Sequence, residues 1–191
     1  MMADRISLSR DWYERGVQLL DDYNRIKEPR LLFEAYIYLW ISLTVAAKQY
    51  CASDGQRCNN SNGEKTTDKE EILHWATRCR KSQIMSMLQE NESLFLELCE
   101  RNGSETNSPI MDVESDKVAD YHREFIRFWN GEARYTKPSS VVRTFILILN
   151  RVRNNLFHGG KSFRIESDIE LLEFTCPLLR DLTKICIDTI K

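Results

Sequence analysis

This chain is poor in residues that interrupt a helix, with only 7 glycines and 4 prolines among 191 residues. It also has no sustained alternation of period two and no internal repeat. Together these absences argue against a strand-and-turn architecture and against a repeat array. Met1–Arg10 contains no apolar signal core, and polar residues interrupt the most apolar windows before the ~20 residues that a membrane span needs. Those two features predict a cytoplasmic protein without a membrane segment. The six cysteines include no C-x-x-C pair, and several fall on apolar helical positions, so reduced thiols are expected. The spacing of Cys51, Cys58, His74 and Cys79 matches no common zinc pattern, so neither a metal nor any other cofactor is called for. The sequons at Asn59, Asn91 and Asn102 carry no message without a secretory signal.

What is present is a composition of 42% hydrophobic and 29% charged residues, typical of a soluble, helix-rich domain. The length suits one domain over residues 1–191. Hydrophobic periodicity predicts a helix from Ser9 to about Arg25, and a stronger one from Pro29 through Tyr50 carrying Leu32, Tyr36, Leu39, Trp40, Leu43 and Ala47. A polar loop over 52–67 precedes a helix capped by Asp68 and running to about Cys79. Short helices are expected over 81–89 and 93–100. A second polar loop, 102–114, leads to a helix from Asp116 to Trp129. Pro138 and Ser139 open a helix with the stripe Val142, Phe145, Leu149, Val152 and Leu156, and Gly159-Gly160 provides its stop. The last helix begins with a capping box at Ser167–Glu170 and contains Pro177, which predicts a kink. The fold class is therefore all-α: an antiparallel helical bundle of four to five main helices with short helices inserted in the middle.

Charge is distributed unevenly. Between Ala133 and Ile165 lie Arg134, Lys137, Arg143, Arg151, Arg153, Lys161 and Arg164, with no Asp or Glu. The rest of the chain thus holds 20 of the 27 basic residues and all 29 acidic ones, a balance of −9. Such asymmetry predicts a local anion-binding face on an acidic body. The simpler alternative is a basic helix that pairs with acidic neighbours.

Within that segment, Arg153-Asn154-Asn155-Leu156-Phe157-His158-Gly159 places a guanidinium, an amide and an imidazole at the end of an apolar helix. Arginine is a permanent cation suited to phosphate oxygens. Histidine exchanges a proton near neutrality, so the group can support acid–base chemistry on a phosphodiester. On a regular helix Arg151, Asn154, Asn155 and His158 share one side, whereas Arg153 projects about 140° from His158. Its flexible stem reaches a phosphate shared with His158 if the helix frays near Gly159 or if a second protomer contributes the partner.

The form Arg153-Asn154-x-x-x-His158 resembles the R-x4-6-H motif of the HEPN superfamily. The aromatic-rich segment Phe33–Trp40 is similar in composition to an early core helix of several HEPN branches. The resemblance implies a metal-independent endoribonuclease that acts as a homodimer with two motifs facing one cleft, often as a toxin or antiviral effector. In that reading His158 moves the proton of the ribose 2′-hydroxyl or of the leaving 5′-oxygen. Arg153 stabilises the charged phosphate, and Asn154 orients His158 or touches the phosphate. Arg151, Asn155 and Lys161 are candidates for holding RNA. The expected products carry a 2′,3′-cyclic phosphate and a 5′-hydroxyl. Some related toxins carry a tyrosine two residues after the histidine; this chain has Gly160 there. That departure argues against neutralisation by tyrosine modification and leaves other antitoxin partners open.

Other features carry less. His122 reads as a half-buried structural histidine and His74 has no assigned role. Gly159-Gly160-Lys161 lacks the strand and spacing of a phosphate loop. Trp129 and Tyr135 could stack on bases, although burial is the ordinary fate of such side chains. The competing functional classes are a non-catalytic RNA- or nucleotide-binding protein of the same type and a purely structural helical adaptor.

Overall fold

The most apolar stretch of the chain forms the centre of the molecule. In the computed structural model, which describes residues 2–53, 66–94, 138–157 and 166–190, it is the helix α2, Pro29–Ser53. Proline suits the first helical position because its missing N–H is one of those left unpaired there. Leu32, Ala35, Tyr36, Leu39, Leu43 and Ala47 follow three- and four-residue steps and are each completely buried. α2 is long and apolar enough to cross a membrane by length and composition, and 56% of its most apolar window is buried in the bundle. The sequence-based expectation that polar residues cut this run short is thereby corrected. Its interruptions, Ser42 and Thr44, are small hydroxyls that turn inward: Thr44 Oγ1 donates to the Trp40 carbonyl at 2.9 Å.

α1, Met2–Ile26, folds back on α2 through Lys27 and Glu28. The turn places Lys27 at φ 55°, and its amide donates to the Tyr23 carbonyl at 2.7 Å, a left-handed close for the helix. Helix α1 starts seven residues before the expected Ser9. Ser9 lies inside it, its buried hydroxyl donating to the Ser42 carbonyl at 3.0 Å while the Ser42 hydroxyl returns a bond to the Ser9 carbonyl at 2.6 Å. Trp12 stacks at a tilt on Tyr38 with centroids 5.1 Å apart. Pairing of 9 with 42 and 12 with 38 makes α1 and α2 antiparallel.

α3 spans Asp68–Cys79, α4 Lys81–Glu90, α5 Pro138–Phe157 and α6 Glu166–Thr189. Among the described residues the fold is all-α, with no strand. The α5 stripe is buried as its spacing predicts at Val142, Phe145, Leu149 and Val152, and Leu156 is partly covered. α6 runs along α2 in the parallel sense: the Cys176 thiol meets the Leu32 carbonyl at 3.5 Å and the Thr183 hydroxyl meets the Leu39 carbonyl at 3.4 Å. It begins at Glu166, so Ser167 lies inside the first turn and not at the cap, and Pro177 is in its interior. One continuous apolar cluster takes residues from each of these six described helices. Of the helix expected over 93–100 only the first residues are described, and the helix expected over 116–129 lies outside the described residues, as do His122, Trp129 and Tyr135.

Candidate functional site

The site is built at the C-terminal end of α5, where the helix changes from apolar to polar. Its buried face is apolar apart from Thr144, and Asn150, Arg153 and Asn154 stand at helical spacing in its last two turns. These three side chains form one wall of a cavity of about 410 Å³. Trp40 of α2 forms another wall, and Thr67, Asp68 and Lys69 at the start of α3 supply the rest.

The start of α3 is held rigidly. The Thr67 amide donates to the Glu70 carboxylate at 2.7 Å, and the Glu70 amide donates back to the Thr67 hydroxyl at 3.4 Å. Thr67 is therefore the cap in place of the expected Asp68, because Glu70 three positions on completes the reciprocal pair. The bond from the Thr67 amide, and then that with the Thr67 hydroxyl, hold the Glu70 carboxyl below its usual range. Asp68, freed from capping, pairs with Lys48 Nζ at 2.7 Å. Behind it, Glu71 is buried with only one carboxylate oxygen bonded, to the Thr66 hydroxyl at 3.1 Å.

Arg153 is half-buried, and its Nη1 donates to Asn154 Oδ1 at 3.0 Å. The guanidinium carbon sits 4.5 Å from the centroid of the Phe157 ring, a cation–π arrangement. Its Nε is buried and has no hydrogen-bond partner among the described residues. The same holds for Nε1 of Trp40, which is 2% exposed and lines the cavity. Both donors belong to residues that line the cavity, and Trp75 Nε1, elsewhere in the core, is likewise without a partner among the described residues.

Beneath the cavity, the buried Tyr36 hydroxyl donates to the Leu149 carbonyl at 2.6 Å. Burial above all, with Cys176 adding to it and Arg153 opposing, pushes the Tyr36 hydroxyl far above its ordinary value, so it is a neutral donor throughout the physiological range. Arg153 thus acts electrostatically on the group that anchors its own helix.

The structure brings together two of the sequence-predicted site residues, Arg153 and Asn154. The projection that sets Arg153 apart from Asn154 holds for the backbone, but the long arginine stem carries the guanidinium round to its neighbour's amide. Arg151 is half-buried and does not line the cavity. His158 and Lys161, like the glycine pair 159–160 and Cys58, lie outside the described residues, as does the Asn155 side chain. Trp40, Thr67, Lys69 and Asn150 were not singled out from sequence. Asn150 carried a signal, since it ends the apolar run Phe145–Leu149 and stands four residues before Asn154. Lys69 carried none, being one lysine in the polar stretch Thr66–Glu71.

Elsewhere, Cys51, Cys176 and Cys186 are buried thiols, with Cys51 donating to the Glu71 carbonyl at 3.8 Å. Among the described residues no group of three or more His, Cys, Asp or Glu is placed to hold a metal. No protein-family model, curated protein or solved structure matches this chain.

Proposed function

We propose that the chain is a metal-independent endoribonuclease of the HEPN type, acting as a homodimer whose two motifs share one cleft. The observation that carries this reading is the Arg153–Asn154 pair, joined at 3.0 Å on the wall of a cavity that also holds Lys69. A guanidinium fixed by an amide and an aromatic ring is a preorganised cation for a phosphate. In the reaction, the imidazole of one His158 takes the proton of the ribose 2′-hydroxyl, whose oxygen attacks phosphorus. The bond from phosphorus to the 5′-oxygen breaks, and the imidazolium of the partner's His158 protonates that oxygen. The ends left are a 2′,3′-cyclic phosphate and a 5′-hydroxyl, and Arg153 offsets the negative charge on the phosphorane oxygens. DNA lacks the attacking hydroxyl and is not cleaved. A toxin or defence effector, held in check in the cytoplasm by a partner antitoxin, is the biological setting that fits such an activity.

A second reading, a non-catalytic RNA-binding or adaptor protein, is favoured by one observation: Arg153 is already engaged within its own helix by Asn154 and Phe157. Incubating total RNA with the wild-type protein and with His158→Ala, with EDTA present, decides between them. The nuclease reading expects cyclic-phosphate ends from the wild type alone. Intact RNA with the wild type, or cleavage surviving in His158→Ala, overturns it.

A further inference from the structure

The cavity beside Arg153 holds more than a single catalytic cation requires. Lys69 and the Arg153 guanidinium bring two positive charges to it, while Asn150, Asn154 and Thr67 add neutral polar groups. Asp68 is the one carboxylate among the described residues of its lining, and Lys48 balances it at 2.7 Å. The α3 N-terminus itself contributes little, since its own Thr67–Glu70 box occupies it. What points to an anionic ligand is this basic and polar lining, two of whose residues, Trp40 and Arg153, also carry a buried donor without an acceptor among the described residues, Nε1 and Nε. An indole N–H can donate but never accept, so its missing partner must bring an acceptor oxygen or nitrogen. The volume of about 410 Å³ falls in the range of small-molecule sites.

We propose that this cavity, between α2, the start of α3 and the end of α5, is a phosphate-binding subsite sized for one nucleotide. Lys69 and Arg153 take the phosphate oxygens, Trp40 donates its indole N–H to the ligand, and Asn150 offers an amide to its polar edge. The inference shares Arg153 with the nuclease reading and rests on it for the view that the nucleotide belongs to an RNA strand. The phosphate chemistry is the same for a strand and for a free nucleotide.

Calorimetric titration of the full-length protein separates these sources with two probes. Adenosine 5′-monophosphate stands for the free nucleotide, and a deoxyribose tetranucleotide, which has no 2′-hydroxyl to react, stands for the strand. Binding of the tetranucleotide in preference to the monophosphate assigns the subsite to a strand, and the reverse order assigns it to a free nucleotide. Lys69→Ala is expected to weaken the bound probe about tenfold, the scale of one charge-assisted hydrogen bond. Trp40→Phe keeps the aromatic packing, removes only the N–H, and should weaken it several-fold. Lys81→Ala, at an exposed position away from the cavity, leaves binding unchanged. Circular dichroism melts establish that each variant is folded. Failure of both probes to bind at millimolar concentration, or binding unaltered in both Lys69→Ala and Trp40→Phe, overturns the proposal. Because neither probe is cleaved, His158→Ala must still bind. Binding without RNase activity therefore sinks only the nuclease reading, and RNase activity without probe binding sinks only the subsite.

Discussion

The Tyr36 hydroxyl donates to the main-chain carbonyl of Leu149, at 2.6 Å, across a sequence separation of 113 residues. In an α-helix that same carbonyl accepts the amide of the residue four positions on, which here is Arg153. Tyr36 therefore ties the core helix α2 to the turn of α5 that presents the arginine. Replacing it by phenylalanine keeps the ring and removes the bond. Tyr36→Phe is expected to lower unfolding free energy by about 1 kcal/mol in urea titrations, because Leu149 keeps its helical partner. Unchanged stability would mean that the tie contributes nothing.

Arginine at 153 acts through its planar fork, which bonds Asn154 while stacking on Phe157. Lysine preserves the charge and loses both features. Under the nuclease reading, Arg153→Lys retains the fold and reduces RNA cleavage by roughly tenfold or more, read from initial rates on a fluorescent RNA. A rate equal to wild type would show that charge alone suffices.

Helices α1 and α2 approach closely at Gly16. A Cβ there would lie 2.8 Å from Leu39 Cγ and 3.2 Å from the Leu39 amide nitrogen, and Leu39 is fully buried. Alanine is ordinarily better than glycine in a helix by about 1 kcal/mol, whereas overpacking a core costs about 1–3 kcal/mol. With backbone as well as side chain in the way, the clash should win. Gly16→Ala is expected to destabilise by about 1 kcal/mol in a denaturant titration, and a smaller loss in a Leu39→Ala background would locate the cause.

Thr67 and Glu70 cap α3 reciprocally, and their helix carries Lys69 to the cavity. Thr67→Ala should cost about 1 kcal/mol of stability. The lowered Glu70 carboxyl has its own signature, since the box contributes above the ordinary glutamate range and is lost as pH falls through the lowered value. Thermal melts on the acid side should therefore show a weaker pH dependence in Glu70→Gln.

Three buried groups set the alkaline limit. Burial, then the bond to Glu173, raises the Tyr23 hydroxyl; burial raises Tyr36; and burial alone raises the Cys176 thiol. Each holds its proton more tightly folded than unfolded, so its contribution is complete below the unfolded pKa and disappears as pH rises towards the folded one. Stability should be level up to about pH 9 and fall beyond it, where free thiols and phenols ionise first in the unfolded chain. Tyr36→Phe should flatten that fall, and an identical slope in the variant would assign the alkaline loss to other groups.

Much of the fold was legible because helical periodicity is a local property. The spacing of Leu32, Leu39 and Leu43 marked the core helix, and Pro29 and Pro138 marked two starts. Boundaries were missed where a polar residue served the tertiary structure instead of the helix end. Ser9 looked like a helix start and is half of a buried serine pair; Asp68 looked like a cap and forms an ion pair with Lys48. Nothing in the local pattern separates these uses, since a short polar side chain satisfies either.

The apolar periodicity of this chain is enough to dictate an all-helical fold and to place an arginine and an amide at the end of a late helix, because both follow from spacing along one segment. That Arg153 would line one cavity with Trp40 and Lys69 could not be read from spacing. The cavity exists only because α2, α3 and α5 pack on a common core, which brings residues from three distant stretches together, two of them with buried donors that have no acceptor among the described residues.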